Sequence, residues 1–419
     1  MKFKYTLLSF IILLLPLGVM AQDVSAYQED VKSLYGIVKQ LPSYKAQITG
    51  DTEIAYHKLY EHLLVEKPVS DFDYFIKLTR LMEPIKDNHA YLSQVAKTVI
   101  TQAQLADTAF IKVYKASPEF RNYPSSRVNL DKLTSVLKAK PVSDVEGIYY
   151  YGQRYLTIGV YRTAKKDSLV GVVLGSRLPH WQPGQIAIVL KEYQLNRFRC
   201  YAAQIGGKAF GFLRNEKFMH GNLTETRYRK NPEAVDYVNI SDDLPKFHFK
   251  SLSGGIKYMR LGSFSSNEKN VAFAQQFYDM VKDSLSANKV IVDLRNNGGG
   301  GYKASGNFIT MLQKFAMNAG HIYIIVNNRT MSDAERFTIR LRGFDNVKVL
   351  GENTNGTIAY GNNTGRSDTL QSRRYMLYIT DMPDQRMYVN YEDIGFKPDV
   401  LLSPKRDWIE QTLELIAKQ

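Results

Sequence analysis

Residues 322–337, IYIIVNNRTMSDAERF, narrow the possible folds more than any other stretch of the chain. Ile322-Tyr323-Ile324-Ile325-Val326 is a short apolar run of β-branched and aromatic residues, which reads as a buried strand. Asn327-Asn328-Arg329-Thr330 breaks the run. Ser332 follows, and from Asp333 the apolar positions Ala334, Phe337, Ile339 and Leu341, with Glu335 early among them, predict a helix. A serine placed there stands at a helix N-terminus and at the end of a strand. The backbone N–H of Asp333 is then free to face a developing oxyanion. The plainer reading makes Ser332 an N-cap, with Glu335 closing a capping box.

The same alternation extends to both sides. Residues 256–261 read as a strand, 268–285 as an amphipathic helix, 290–294 as a strand ending in a glycine-rich turn, and 304–315 as a helix. Beyond the Ser332 helix come a strand at 347–350, a loop at 351–361, two paired strands at 375–380 and 387–389, and a closing helix at 407–417. Alternating strands and helices predict a mainly parallel sheet covered by helices, with sites gathered at the strand ends. Residues 22–140 have a different texture. Val31, Leu34, Tyr35 and Val38 mark one helix face, and 54–64, 72–82 and 92–113 repeat that signal. From 141 to 240 the chain breaks into short strand-like runs separated by turn residues such as Pro183-Gly184 and Gly206-Gly207. This predicts a small antiparallel β-rich domain. No peptide-carboxylate loop opens it, so it is not read as a PDZ domain, and Trp181 reads as core. The expected architecture is multidomain α+β: a helical domain (22–140), a β-rich domain (141–240) and an α/β domain (241–419).

Residues 1–21 are a separate object. Lys2 and Lys4 precede an apolar run, and Val19-Met20-Ala21 ends it in a small residue. This is the pattern of a signal peptide cleaved after Ala21, so a periplasmic or extracellular location is expected. No later segment is long and apolar enough to span a membrane. Cys200 is the single cysteine, so neither an internal disulfide nor a cysteine-based metal site is available. With 44% hydrophobic and 12% aromatic residues the chain can build sizeable cores instead. The net charge of +14 does not point to nucleic acid in an exported protein; solvation or attraction to acidic envelope polymers accounts for it better.

Four motifs stand in order in the last domain. Asp293-Leu294-Arg295-Asn296-Asn297-Gly298-Gly299-Gly300 joins a strand to a helix; its glycines let the backbone approach a ligand and free N–H groups to donate. It lacks the Lys-Ser/Thr and the spacing of a phosphate loop. Ser332-x-x-Glu335, Gly351-Glu352-Asn353-Thr354-Asn355-Gly356 and Glu392-Asp393-Ile394-Gly395-Phe396-Lys397-Pro398-Asp399 follow. Together, over about residues 250–405, they resemble the tail-specific (carboxyl-terminal processing) serine protease family. The resemblance implies a crotonase/ClpP-like α/β core, Ser332 as nucleophile, and an oxyanion hole formed by the amides of Asp333 and one of Gly298 and Gly299.

One style of that family uses a lysine about 25 residues after the serine. That position is Thr357 here, and no lysine lies between Lys348 and Lys397. The tricorn-like branch uses serine, histidine and glutamate, with the histidine in a D-x-H setting, and this chain offers Asp87-Asn88-His89 and Glu392. The resemblance therefore implies His89 as base and Glu392 as its orienting carboxylate, with Asp393 the rival. Serine needs a base at neutral pH, and histidine titrates in the right range. Taken alone, His89 would read as a surface or capping residue. His57, His62, His180, His220, His248 and His321 lack a comparable setting. Asp293 and Arg295 read as braces of the glycine loop, and Asp399 as a turn residue. The expected activity is a serine peptidase acting on a peptide or protein, with no metal or organic cofactor. The alternative is a non-catalytic protein on a protease fold that binds a lipophilic ligand, peptide or glycan.

Overall fold

The computed structural model describes residues 17–285, 288–384 and 387–418. Most of the expected signal peptide lies outside the described residues. No helix among the described residues is long and apolar enough to cross a membrane.

The α/β alternation folds into a six-stranded sheet. Its order is Val400–Leu401, Val347–Gly351, His321–Val326, Lys289–Asp293, Lys257–Leu261 and Phe247–Ser251. The first five strands are parallel, and Phe247–Ser251 closes the edge antiparallel. Parallel strands need cover on both faces. Glu268–Val281, Tyr302–Met317 and Asp333–Leu341 supply one layer, packed through Phe277, Phe308, Leu312, Phe337 and Leu341 on Val292, Ile324 and Val349. Trp408–Ala417 covers the other face, with Trp408 buried beside Ile291, Tyr323 and Leu350. The strand Val290–Leu294 and the helices expected on either side of it all form, displaced by a few residues at most.

The second sheet has ten strands and is antiparallel. Gly147–Tyr151, Leu156–Arg162, Ser168–Ser176, Ile186–Gln194, Arg197–Ala203 and Phe210–Met219 run as a meander, as the turn signals predicted. Two segments from elsewhere extend it. Tyr91–Gln94, expected to begin a helix, lies as a strand between Phe210–Met219 and Tyr375–Tyr378. Tyr375–Tyr378 in turn pairs with Ser367–Thr369, not with 387–389 as expected; Val389–Tyr391 is a 3₁₀ turn.

The division expected at residue 140 is not a division of cores. Tyr27, Val31, Leu34 and Val38 of the helix Leu17–Val38, and Phe75 and Leu78 of Asp71–Thr79, share one apolar cluster with Ile158, Leu190 and Cys200 of the sheet and with Tyr375 and Leu377. The physical reason is simple. The helices carry one apolar stripe each and the sheet one apolar face, and each covers the other.

Asp30 ties this unit together. It is fully buried and accepts from Tyr74 Oη at 2.7 Å, Ser372 N at 2.7 Å and Ser372 Oγ at 2.6 Å. Asp30→Ala would strand three donors, one side chain and two from the hairpin turn. It should lower unfolding stability by about 2–4 kcal/mol, read from the urea midpoint. A change inside about 0.5 kcal/mol, the range of an ordinary surface substitution, would mean that these bonds do not form in solution.

Candidate active site

Ser332 is delivered by a turn that is hydrogen-bonded both within itself and to the neighbouring glycine loop. Asn327 Oδ1 accepts from the amides of Asn296 at 3.0 Å and Arg329 at 3.2 Å. Thr330 Oγ1 donates to the Leu294 carbonyl at 2.9 Å, and Met331 N donates to the Asn297 carbonyl at 2.9 Å. The turn at the end of one strand is thus locked to the glycine loop at the end of its neighbour. Ser332 itself has φ 54° and ψ −121°, a left-handed conformation that a residue with a Cβ adopts only when its surroundings impose it. Such a strand–turn–helix corner lifts a serine hydroxyl clear of the sheet.

Glu335 holds the corner in place. Its buried carboxylate accepts from Ser332 N at 3.0 Å and Thr357 N at 3.2 Å on one oxygen, and from Thr354 Oγ1 at 2.6 Å and Gly356 N at 2.9 Å on the other. The Thr357 carbonyl accepts a second bond from Ser332 N at 2.8 Å. The serine motif and the G-E-N-T-N-G loop are therefore one hydrogen-bonded unit, and Thr357 serves through its backbone. The sequence showed Glu335 only as a possible cap. The Ser332 hydroxyl lies 3.0 Å from His89 Nε2.

His89 reaches that point from the loop that leads into the strand Tyr91–Gln94 of the other sheet. Asp87 Oδ1 accepts from the amides of His89 and Ala90, both at 3.1 Å, and Asp87 Oδ2 accepts from Thr380 Oγ1 at 2.6 Å. Asn88 Nδ2 donates to the Gly356 carbonyl at 2.7 Å and to Asp393 Oδ1 at 3.0 Å. The D-x-H pattern contains Asp87 and Asn88, but their partners come from distant parts of the chain and leave no local signal. Burial, helped by the Arg336 charge and opposed by Asp87, lowers the His89 pKa below its ordinary value.

Glu392 stands close by but does not take the expected position. Among the described residues nothing hydrogen-bonds His89 Nδ1. Glu392 Oε1 accepts from Asn88 N at 2.7 Å, and Oε2 accepts from Ile358 N and Ala359 N, both at 2.9 Å. Both oxygens are occupied by backbone amides, so the carboxylate fixes the peptide before the histidine and not the ring. Asp393, the rival, is held from the large sheet by Arg214, by Asn215 and by Arg197.

Burial and the Asp87 charge push Glu392 up to about 8, against the pull of its amide donors. The folded state then holds a proton that the unfolded chain releases. Stability from this group is full below the ordinary value of 4.5 and is lost as pH rises towards 8. Glu392→Gln should flatten the pH dependence of unfolding stability across that window, measured by urea titrations at several pH values. An unchanged slope would remove Glu392 as its source.

The glycine loop lies against the serine. A Cβ on Gly299, where φ is +79°, would sit 2.7 Å from Ser332 Cβ and 2.9 Å from Asp333 N; on Gly300 it would fall 1.8 Å from the Phe264 carbonyl oxygen. Of the three residues expected to supply oxyanion donors, Gly299 has its amide engaged at 2.9 Å by Asn297 Oδ1. No bond to the Gly298 or Asp333 amide is present among the described residues. The Asp333 carboxylate accepts from Ser305 Oγ at 2.6 Å. Asp293 and Arg295 brace the loop through a paired contact at 2.7 Å, with Arg295 Nη1 also on the Tyr237 carbonyl at 2.8 Å. Asp399 accepts from Val349 N at 2.8 Å and pairs with Arg342, a structural place beside the strand Val400–Leu401. One lysine was missed: Lys217 of the large sheet is buried and donates to the Asn355 carbonyl. No cluster of His, Cys, Asp and Glu among the described residues has the make-up of a metal site.

No family model and no curated protein matches the sequence. Among solved structures the chain is similar to the photosystem II D1 C-terminal processing protease, at 15% identity and TM-score 0.40, covering 92% of this chain and 96% of that one. It is similar to mature CPAF complexed with lactacystin at 12% identity and TM-score 0.42, covering 95% and 98%. It is similar to the tricorn protease at 14% identity and TM-score 0.42, covering 94% of this chain and 37% of that one. Likeness at this level does not decide function, which rests on the geometry around Ser332.

Proposed function

We propose that the chain is an exported serine peptidase in which His89 is the base for Ser332. The observation that carries this reading is the 3.0 Å contact between His89 Nε2 and a serine held at positive φ by a buried carboxylate. In the proposed reaction His89 takes the hydroxyl proton as Ser332 attacks a peptide carbonyl. The Asp333 and Gly298 amides receive the oxyanion, the imidazolium gives its proton to the leaving amine, and His89 then activates water against the acyl-enzyme. Asp87 and Glu392 position the His89 backbone. Asp87 also supplies a negative charge that favours the protonated ring. Export is proposed from the basic-then-apolar segment 1–21. The domains expected at 22–140 and 141–240 are proposed to act as one unit that carries His89.

The test is the rate of labelling by a fluorophosphonate as a function of pH. Only neutral imidazole accepts the proton, so the rate should rise with pH through a midpoint below the ordinary histidine value of 6.5 and then level off. No adduct on folded protein between pH 5 and 8, the range in which histidine changes charge, would overturn the catalytic reading. A rate still climbing above about pH 8 would point to a base other than histidine.

A further inference from the structure

A cavity of about 500 Å³ lies between the N-terminal helices, the start of the strand Phe210–Met219 and the hairpin turn at Arg373 and Arg374. It is separate from the Ser332–His89 pair. One wall, Gln94 to Lys97, continues the strand Tyr91–Gln94 and starts five residues after His89, roughly 17 Å of extended chain.

The lining has two characters. One wall is aromatic: the Phe72 and Phe210 rings are 4.5 Å apart, and Tyr123 stacks on Phe210 at 5.9 Å. The charged groups are Lys97, Lys208, Arg373 and Arg374 against Asp71 and Glu119. Asp71 is shared by Lys97 at 3.4 Å and Arg374 at 3.2 Å, and Glu119 accepts from Thr98 Oγ1 at 2.8 Å. Lys208 is buried at the floor, bonded to Gln185 Oε1 at 2.7 Å and standing 4.1 Å from the Tyr123 ring centre. No carboxylate among the described residues forms an ion pair with Lys208 or Arg373. Burial lowers the Lys208 pKa to about 7, and Lys97 and Arg374 already meet Asp71, so the excess of positive charge sits chiefly at Arg373, on the rim of a partly aromatic cavity of ligand size. That combination suits a flat apolar body carrying one negative charge.

We propose that this cavity is a second binding site, which takes an aromatic carboxylate with its ring against Phe72 and Tyr123 and its carboxylate at Arg373 and Lys97. A free aromatic acid and the C-terminal residue of a peptide both present this chemistry. Binding does not require a reaction at Ser332.

The experiment is calorimetry on the full-length Ser332→Ala protein. The probes are N-acetylphenylalanine, the peptide Gly-Gly-Gly-Gly-Phe, and the C-terminal amide of each. At least one acid should bind, its amide should bind about tenfold more weakly, and Arg373→Gln or Lys97→Gln should weaken the acid by a similar factor while sparing the amide. Both side chains are exposed, so neither change threatens the fold. Preference for the short acid would identify a small-molecule source, and preference for the peptide a chain end. Equal binding of acid and amide, no heat at concentrations on the order of 10 mM (affinities weaker than about 3 kcal/mol), or indifference to both substitutions would overturn the proposal.

Discussion

Ser332→Ala should abolish fluorophosphonate labelling and lower peptide hydrolysis by about four orders of magnitude or more, because no other hydroxyl stands in hydrogen-bond contact with His89 among the described residues. His89→Ala should leave the adduct possible but slow it by a factor of about a thousand or more, since an unassisted serine hydroxyl is a weak nucleophile. The two losses should not multiply in the double variant, as one residue acts only through the other. Intact mass after labelling reads all three. The substitution also separates chemistry from folding. Ser332 holds φ at 54°, a conformation that costs on the order of 1–3 kcal/mol for a residue with a Cβ. Alanine keeps that cost and should leave the urea midpoint nearly unchanged, whereas Ser332→Gly should raise it while remaining inactive. An adduct retained in Ser332→Ala would place the reactive group elsewhere. Lost labelling accompanied by a collapsed urea midpoint would make the serine's role structural.

Glu335→Ala should be the most destabilising single change in the α/β half. It removes one buried carboxylate and leaves four donors, Ser332 N, Thr354 Oγ1, Gly356 N and Thr357 N, without that acceptor. Only Ser332 N keeps a second bond, to the Thr357 carbonyl. Stranding several buried donors should cost about 3–5 kcal/mol, in the range found when a buried charged network loses a member. Labelling should fall at least a hundredfold even where the protein remains folded, because the serine corner and the Gly356 loop that contacts Asn88 would both relax. Glu335→Gln keeps the shape and part of the acceptor capacity, and should fall between. Urea unfolding followed by circular dichroism, beside the labelling rate, checks both effects. A loss under about 1 kcal/mol, the size of one ordinary hydrogen bond, would show that Glu335 does not hold the corner.

These expectations differ in how far they were legible beforehand. The Ser332 corner was visible because its signals are local: a β-branched run, a polar break, then apolar residues at helical spacing, all within sixteen residues. The glycine loop was visible for the same reason, and the steric account at Gly299 and Gly300 supplies its cause. Glu335 was visible as a residue and hidden as a function. Three residues from Ser332 it looks like a cap, and its bonds to Thr354, Gly356 and Thr357 exist only after a second strand has brought the G-E-N-T-N-G loop alongside.

By itself the sequence determined the order and type of most elements, because burial on a strand or a helix face repeats with a period that neighbouring residues alone express. It also determined which side chains were available for chemistry. Tertiary structure decided which of them meet. His89 and Ser332 are 243 positions apart and lie at the ends of strands from different sheets, so their 3.0 Å contact follows from how the two units pack. The same packing sent Glu392 to three backbone amides instead of the imidazole, since an amide buried at that junction needs an acceptor wherever one is within reach. It placed Tyr91–Gln94 between a strand from the middle of the chain and one from the last fifth of the sequence, and it joined the helical and β-rich segments into one core. Pairing partners and shared cores depend on apolar surface left uncovered elsewhere in the molecule, and no local period carries that information.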